Sequence, residues 1–273
     1  MTSALFGMLA ETAVHPGTDS STGLIDLPVA REAATGYPLL PSSSLKGALK
    51  NKAEKHLPKD EVEHLFGEPD NAGSIAVTDA RLLLLPVRSL TTHYVWVTCP
   101  YILNRLCRDL MLVGKTVSLS VEMPPENKVF AHQAGKLFLE ELTFQAEARP
   151  DLIAGIAEII SPLIFHESVR NSLINQLVIV SDDRMNYFAT YCLSVRARNK
   201  LDPIKKTSAS LWYEETLPPD TVMYFATLQL PNSQEGVAKL ESLFATDPYL
   251  QAGGNETMGQ GWFVISKFEG GKQ

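Results

Sequence analysis

An α+β fold is expected, from three observations. Strand-like and helix-like stretches are mixed along the chain, without the strict β-α-β-α alternation of a parallel doubly wound sheet. One segment, with Leu45, Leu49, Ala53 and Leu57 at helical spacing, is unmistakably an amphipathic helix. The composition, 273 residues with 45% hydrophobic and 20% charged, is that of an ordinary globular chain long enough for one large domain.

The same arithmetic narrows the function classes. Lys and Arg total 24 against 31 Asp and Glu, a net charge of -7. This argues against nucleic-acid binding by bulk charge, while a local basic groove stays open. The three cysteines, Cys99, Cys107 and Cys192, are odd in number and widely spaced, without a CxxC. They suit reduced thiols in a cytoplasm rather than disulfides or a structural zinc site. No charge-free apolar run reaches about 18 residues, so no membrane helix is expected. Met1 to Phe6 lacks a basic region and Glu11 ends the apolar run, so no signal peptide is expected.

In chain order, residues 4–14 read as a strand and 15–23 as a polar loop. Leu24 to Val29 places Asp26 among apolar neighbours, and Pro28 argues against a central strand. A loop over 32–44 precedes the helix, with Ser43 and Ser44 as its start and candidate N-cap. Strands are expected over 74–85, ended by Pro86, and over 94–98. Pro100 opens a helix to about Val113. Strand and hairpin material follows to Arg149, then a helix over 152–164, a strand at 178–180 and a helix over 182–191. Residues 199–210 read as a polar loop. Strands at 210–215 and 221–230 flank Pro218-Pro219, and a helix over 234–244 precedes a short strand at 249–252. A glycine-rich loop from Gly253 to Gly261 and a last strand over 262–268 end the chain.

Several residues carry candidate chemistry. Lys46 and Gly47 are expected in the first helical turn, where unpaired N–H groups and the helix dipole favour an anion such as phosphate. Ser43 and Ser44 can donate to the same phosphate or cap the helix. The glycine-rich loop has four glycines in nine residues, Gly253, Gly254, Gly259 and Gly261. Its bare backbone can approach phosphates closely, although a plain hairpin has the same composition. It lacks GK[ST] and precedes a strand, so it is neither a P-loop nor a dinucleotide fingerprint. Arg88, Arg31, Lys200, Lys205 and Lys206 are candidate phosphate contacts or solvated charges. Asp26 alone reads as a turn carboxylate, and His15 as a loop histidine or a proton donor near neutral pH. Glu214 and Glu215 read as an exposed acidic pair, and Trp212 and Tyr213 as core and edge packing.

Together, His15-Pro16-Gly17, Gly23 to Glu32, Thr35 to Pro38, Pro41 to Gly47, Leu65-Phe66-Gly67, Asp79 to Leu83 with Pro86 to Ser89, and Gly253 to Gly261 resemble one family. The chain is similar to the RAMP superfamily, and within it to the repeated backbone subunits of type III-B CRISPR (Cmr) effectors. The resemblance implies a single RAMP domain over 1–273, with a poorly matched insertion region at about 115–200. It implies a ferredoxin-like, RRM-type palm with a protruding thumb hairpin, placed in that middle region. It further implies guide RNA, target single-stranded RNA, head-to-tail copies of the same chain and other Cmr subunits as partners. The implied activity is that of an endoribonuclease, cutting target RNA at regular intervals with a divalent metal (Mg or Mn). By resemblance, Asp26 is the residue on which cleavage depends and the metal's candidate ligand. His15 lies beside it, and Lys46 and the glycine loop lie along the guide RNA. Three alternatives share many of these residues: a non-catalytic RNA-binding scaffold, the type III-A equivalent, and an endonuclease that processes guide RNA through His15.

Overall fold

The central strand is β1 (Ser3–Ala10), buried along its length after Ser3. The structure, a computed structural model, describes residues 3–17, 23–68, 70–231 and 235–270. After β1 the described chain follows irregular paths to β2 (Leu39–Leu40), α1 (Ser42–Glu54), α2 (Lys59–Phe66), and the small strands β3 (Gly67–Glu68), β4 (Asn71–Ala72) and β5 (Ile75–Val77). Then come β6 (Ala80–Arg88), β7 (Tyr94–Thr98), α3 (Pro100–Leu112), β8 (Lys128–Ala131), β9 (Gly135–Leu139) and β10 (Leu142–Ala148). The rest is α4 (Pro150–Ile160), a 3-10 turn at Ser161–Leu163, α5 (Glu167–Gln176), β11 (Leu177–Ile179), α6 (Asp182–Tyr191), β12 (Ser194–Leu201), β13 (Ser208–Thr216), β14 (Val222–Gln229), α7 (Gly236–Thr246), β15 (Tyr249–Gln251) and β16 (Trp262–Lys267).

Ten of these strands form one mixed sheet in the order β15-β16-β1-β14-β6-β7-β11-β8-β10-β9, with β2 and β5 paired beside it. The expected α+β class therefore holds. β1 pairs antiparallel with both β14 and β16, and β14 pairs antiparallel with β6. On one face Phe6 stacks on its cross-strand partner Phe225 at 5.2 Å and meets Phe244 of α7 at 5.7 Å. The other face carries Gly7 and its partner Tyr224, whose hydroxyl donates to Asp109 of α3 at 2.8 Å. Arg81 of β6 closes on the same carboxylate at 2.6 Å.

Several expectations shift. The first strand ends at Ala10 rather than Val14, because bends begin at Glu11. Pro86 does not end its strand: β6 continues to Arg88, with Pro86 opposite Trp96. The pairing of β14 with β6 stops at Leu84, so the residue without an N–H sits where β6 has a neighbour on one side only. The helix expected over 152–164 divides at Ile160, where the 3-10 turn containing Pro162 takes over. The middle of the chain is integral to the large sheet, through β8 to β11. β12 and β13 form a separate two-stranded hairpin over 194–216, which begins inside the 115–200 region and runs past its end.

Cys99 and Cys107 are buried and Cys192 is half-buried, all unpaired. Burial pushes the Cys99 and Cys192 thiols up to about 12, so both stay protonated at neutral pH. Among the described residues no helix is long and apolar enough to cross a membrane.

Candidate functional site

The base of the β12–β13 hairpin gathers three separate stretches of chain. Residues Asp26 and Leu27 run beside β13 in a short parallel bridge. Leu27 N donates to Tyr213 O at 3.0 Å, and Glu215 N donates to Leu27 O at 3.0 Å. Asp26 extends the ladder with its side chain: Oδ2 accepts the Tyr213 N–H at 2.7 Å. The carboxylate is only partly buried, and among the described residues its Oδ1 has no partner. Pro28, disfavoured in a central strand, is tolerated because this contact is an isolated bridge.

His15 reaches the same strand from the other end of the loop. Its Nδ1 lies 2.8 Å from Glu215 O, and since a carbonyl only accepts, Nδ1 carries the proton. Nε2 is left as the acceptor nitrogen, without a hydrogen-bond partner among the described residues. The ring is 7% exposed and lies between two glycines. A Cβ on Gly17 would stand 3.0 Å from Nε2, and one on Gly254 would stand 3.3 Å from Cδ2.

The glycine-rich loop forms the third part. Gly254 N donates to His15 O at 2.9 Å and Gly261 N to Ala13 O at 2.9 Å. Gly253 has φ +92 and a Cβ there would press within 2.8 Å of His15 O, so this position accepts only glycine. Asn255, itself left-handed at φ 62, donates from Nδ2 to Glu214 Oε1 and to Gln260 Oε1. Beside the loop, Ala48, Asn51 and Lys52 of α1 face Glu256 and Trp262 across a cavity of about 80 Å³.

Glu214 and Glu215 are therefore not the exposed pair expected. Both are 2% exposed. Neighbours in a strand point to opposite faces, and each acid holds a different loop. Glu214 takes Asn255 of the glycine loop and, at 3.4 Å, Arg198 of β12. Glu215 takes Val29 N at 3.0 Å and Arg31 Nη2 at 2.8 Å. Nothing in the local sequence marks this, because the partners lie 16 to 186 residues away.

The hairpin above them is two-faced. Cross-strand pairing puts Arg196, Arg198 and Lys200 on one face with Trp212 and Glu214. The other face holds Val195, Leu201, Leu211 and Tyr213, each between 44% and 58% exposed. Trp212 and Tyr213 are thus hairpin residues rather than core. The turn adds Lys205 and Lys206, with Asp202 Oδ1 occupied by the backbone N–H groups of Ile204 and Lys205. From 194 to 213 the hairpin has five basic residues and one acid, on a chain that is acidic overall.

The remaining expected contacts stand apart. Helix α1 starts at Ser42, so Lys46 is its fifth residue and lies beyond the first turn. Ser43 and Ser44 are exposed and neither caps the helix. Instead Asp79 Oδ1 accepts the Ser42 N–H at 2.7 Å, so a carboxylate already occupies that anion position. Arg88 is ion-paired with Glu140 at 2.8 Å. The Arg31 guanidinium is taken by Gly36 O, Ala189 O and Glu215.

The donor set bears on the metal. Among the described residues no three His, Cys, Asp or Glu side chains converge as a chelate. Magnesium, however, is commonly held by one or two carboxylates together with substrate phosphates and water. The single open oxygen of Asp26 fits an ion shared with RNA and does not fit an all-protein cage.

Comparison with known proteins agrees with this architecture. The "CRISPR system Cmr endoribonuclease Cmr4" of Pyrococcus furiosus is 30% identical, over 97% of this chain and 96% of that protein. The "CRISPR system CMR subunit Cmr4" of Saccharolobus solfataricus is 25% identical, over 94% and 93%. Among solved structures, oligomeric Cmr4 from Pyrococcus furiosus superposes with a TM-score of 0.81 at 27% identity, covering all of both chains. The fold is shared at 23% identity, and a TM-score of 0.80 over 98% of each chain, with a chain of the type III-B Cmr-beta complex bound to cognate target RNA. With residues 8–264 matching the family as a whole, from inside β1 to inside β16, this chain belongs to the RAMP superfamily.

Proposed function

We propose that this chain is a backbone subunit of a type III-B CRISPR effector, an endoribonuclease that holds guide RNA and cuts complementary target RNA at regular intervals. The observation that carries the reading is the convergence of Asp26, His15 and the glycine loop on β13, beneath a hairpin with one basic face. Relatives named for this activity and complex, matched over nearly the whole chain, support it. The order β16-β1-β14-β6, with α1 and α7 in the two crossovers, supports a ferredoxin-like palm from which β12 and β13 project as a thumb. Copies stack head to tail along the guide beside other Cmr subunits, in the cytoplasm. An oligomeric relative supports the stacking.

The chemistry is attack of a target 2′-hydroxyl on the adjacent phosphate of a splayed-out nucleotide. The apolar hairpin face beside Asp26 suits holding such a nucleotide out of its stack. Asp26 Oδ2 is fixed by the Tyr213 N–H, which leaves Oδ1 to orient or accept the hydroxyl proton. His15 presents an acceptor nitrogen of fixed tautomer within the same loop. A divalent ion held between Asp26 and RNA phosphate would supply charge neutralisation at the reacting phosphate. The glycine loop offers guide phosphates close approach of its backbone rather than the N–H groups of Gly254, Gly259 and Gly261, which backbone carbonyls already take, and the basic hairpin face supplies the charge.

The test is target cleavage by the reconstituted guide complex, with and without Mg or Mn. Evenly spaced cuts are expected. A complex that binds target without cutting it in any metal would leave the chain a scaffold. For the hairpin, replacing Lys200, Lys205 and Lys206 by Gln should weaken RNA binding equally for all sequences. The slope of log K against log salt should fall by about 0.7 for each phosphate that these lysines neutralise. An unchanged slope would remove these lysines from the RNA path.

A further inference from the structure

We infer that Arg31 and Glu215 form a register lock that positions Asp26 for cleavage, an inference that rests on the cleavage reading above. Asp26 lies on a bridge only a few bonds long, and the described residues around it form only isolated bridges. Three main features hold it to β13: the two backbone bonds of Leu27 and the Asp26–Tyr213 contact. A one-residue slip along β13 would turn the Asp26 side chain to the opposite side.

The Glu215 carboxylate prevents that slip. It is 2% exposed and takes Val29 N on Oε2 and Arg31 on Oε1, which fixes the loop two residues past Leu27. Arg31 in turn ties three elements together. Nη1 donates to Gly36 O at 3.0 Å across the loop's far turn and to Ala189 O at 2.8 Å in α6, while Nη2 donates to Glu215 at 2.8 Å in β13. A planar fork with several fixed donors suits this task, and a lysine does not reproduce it. Glu215 O also holds His15, so one strand residue sets both candidate reacting side chains. Both Glu215 carboxylate oxygens are occupied and three protein acceptors take the Arg31 guanidinium, so both are positioning residues.

The experiment uses the assembled guide complex with wild type, Arg31→Gln, Arg31→Lys, Glu215→Gln, the double Arg31→Gln/Glu215→Gln, and Asp26→Asn as reference. Target affinity and single-turnover cleavage rate are measured separately, and assembly is checked by sizing. Arg31→Gln is expected to slow cleavage about 100-fold, the scale of an ångström-sized misplacement, with target affinity kept. Arg31→Lys should recover about a tenth of the wild-type rate, and the double variant should be no slower than the worse single one, since the two act as a unit. A merely structural role would lower assembly and affinity together with rate. If Arg31→Gln fails to assemble, Arg31→Lys decides: wild-type cleavage there overturns the lock. Equal loss of affinity and rate in assembled Arg31→Gln also overturns it, by making Arg31 an RNA contact. Wild-type cleavage by Asp26→Asn would instead refute the underlying reading of Asp26, which these arms keep distinct.

Discussion

Asp26→Asn in the assembled complex should abolish regular cutting of target RNA while leaving target affinity intact. Asparagine is the informative substitution because it preserves shape. Its amide oxygen can still accept the Tyr213 N–H that Asp26 Oδ2 accepts at 2.7 Å, so the bridge to β13 survives. What changes is the other carboxylate oxygen, Oδ1, which becomes an NH2 group unable to take a proton or a cation. Loss of a positioned base alone costs about 100-fold to 10,000-fold in rate. Removing a negative charge next to RNA phosphates gives no reason for weaker binding, so affinity should hold or rise slightly. Single-turnover cleavage and filter binding on the same preparations check both halves. Asp26→Ala is a poorer probe, because it also removes the side-chain bond to Tyr213 and frees the loop. Cutting at the wild-type rate by Asp26→Asn would return Asp26 to the role its one hydrogen bond already serves, a carboxylate that satisfies a strand N–H. That outcome moves the active site elsewhere; only the absence of cuts in the wild-type complex favours the scaffold reading, in which the glycine loop and basic hairpin bind RNA without cutting it.

What the sequence reveals depends on how local the physics is. Helix α1 is legible because Leu45, Leu49 and Ala53 recur on one buried stripe within four turns. Asp26, His15 and the glycine loop are named by their resemblance to the RAMP superfamily, yet their meeting place is not visible in the sequence. His15 and Glu215 are 200 residues apart, and Asp26 and Tyr213 are 187 apart. The end of β12, from Asn199 to Leu201, falls in the expected polar loop for a different reason. The strand's one strand partner among the described residues is β13, most of its residues face water, and no alternation of apolar side chains marks it. Glu214 and Glu215 mislead because two adjacent acids usually lie at a surface. Their burial is offset by Asn255, Val29 N and Arg31, all supplied by remote loops. Lys46 departs from expectation by one step only: the helix starts at Ser42, and Asp79 rather than a serine satisfies its first N–H.

Gly7→Ala should damage the fold more than any other single methyl addition in β1. Gly7 lies in the middle of the sheet, opposite Tyr224 on one side and Ser266 on the other. A Cβ there would fall 2.0 Å from Leu163 O and 2.6 Å from Leu163 C. Both are backbone atoms, so no side chain can rotate away. Either β1 bends out of a sheet in which it is paired on both sides, or the 3-10 turn at Ser161–Leu163 lifts, breaking the Ser266 Oγ to Pro162 O bond of 2.9 Å. Forcing a methyl into a packed interior costs about 1–3 kcal/mol, and rigid backbone on both sides places this site at the upper end. Against a total stability of about 5–15 kcal/mol, that should lower the melting temperature by roughly 4–6 °C. Gly47→Ala is the control. Gly47 is an exposed residue inside α1, and a Cβ there meets nothing within 4 Å. Alanine should raise stability by about 0.5–1 kcal/mol. The fold therefore requires the glycine at position 7 and does not require the one at position 47. If Gly47→Ala melts higher and binds guide RNA less well, the glycine at 47 serves close approach of the RNA backbone to α1. If it melts higher and binds equally well, α1 has no close backbone contact with RNA at that turn, and the guide path lies over the glycine loop and the basic hairpin face alone.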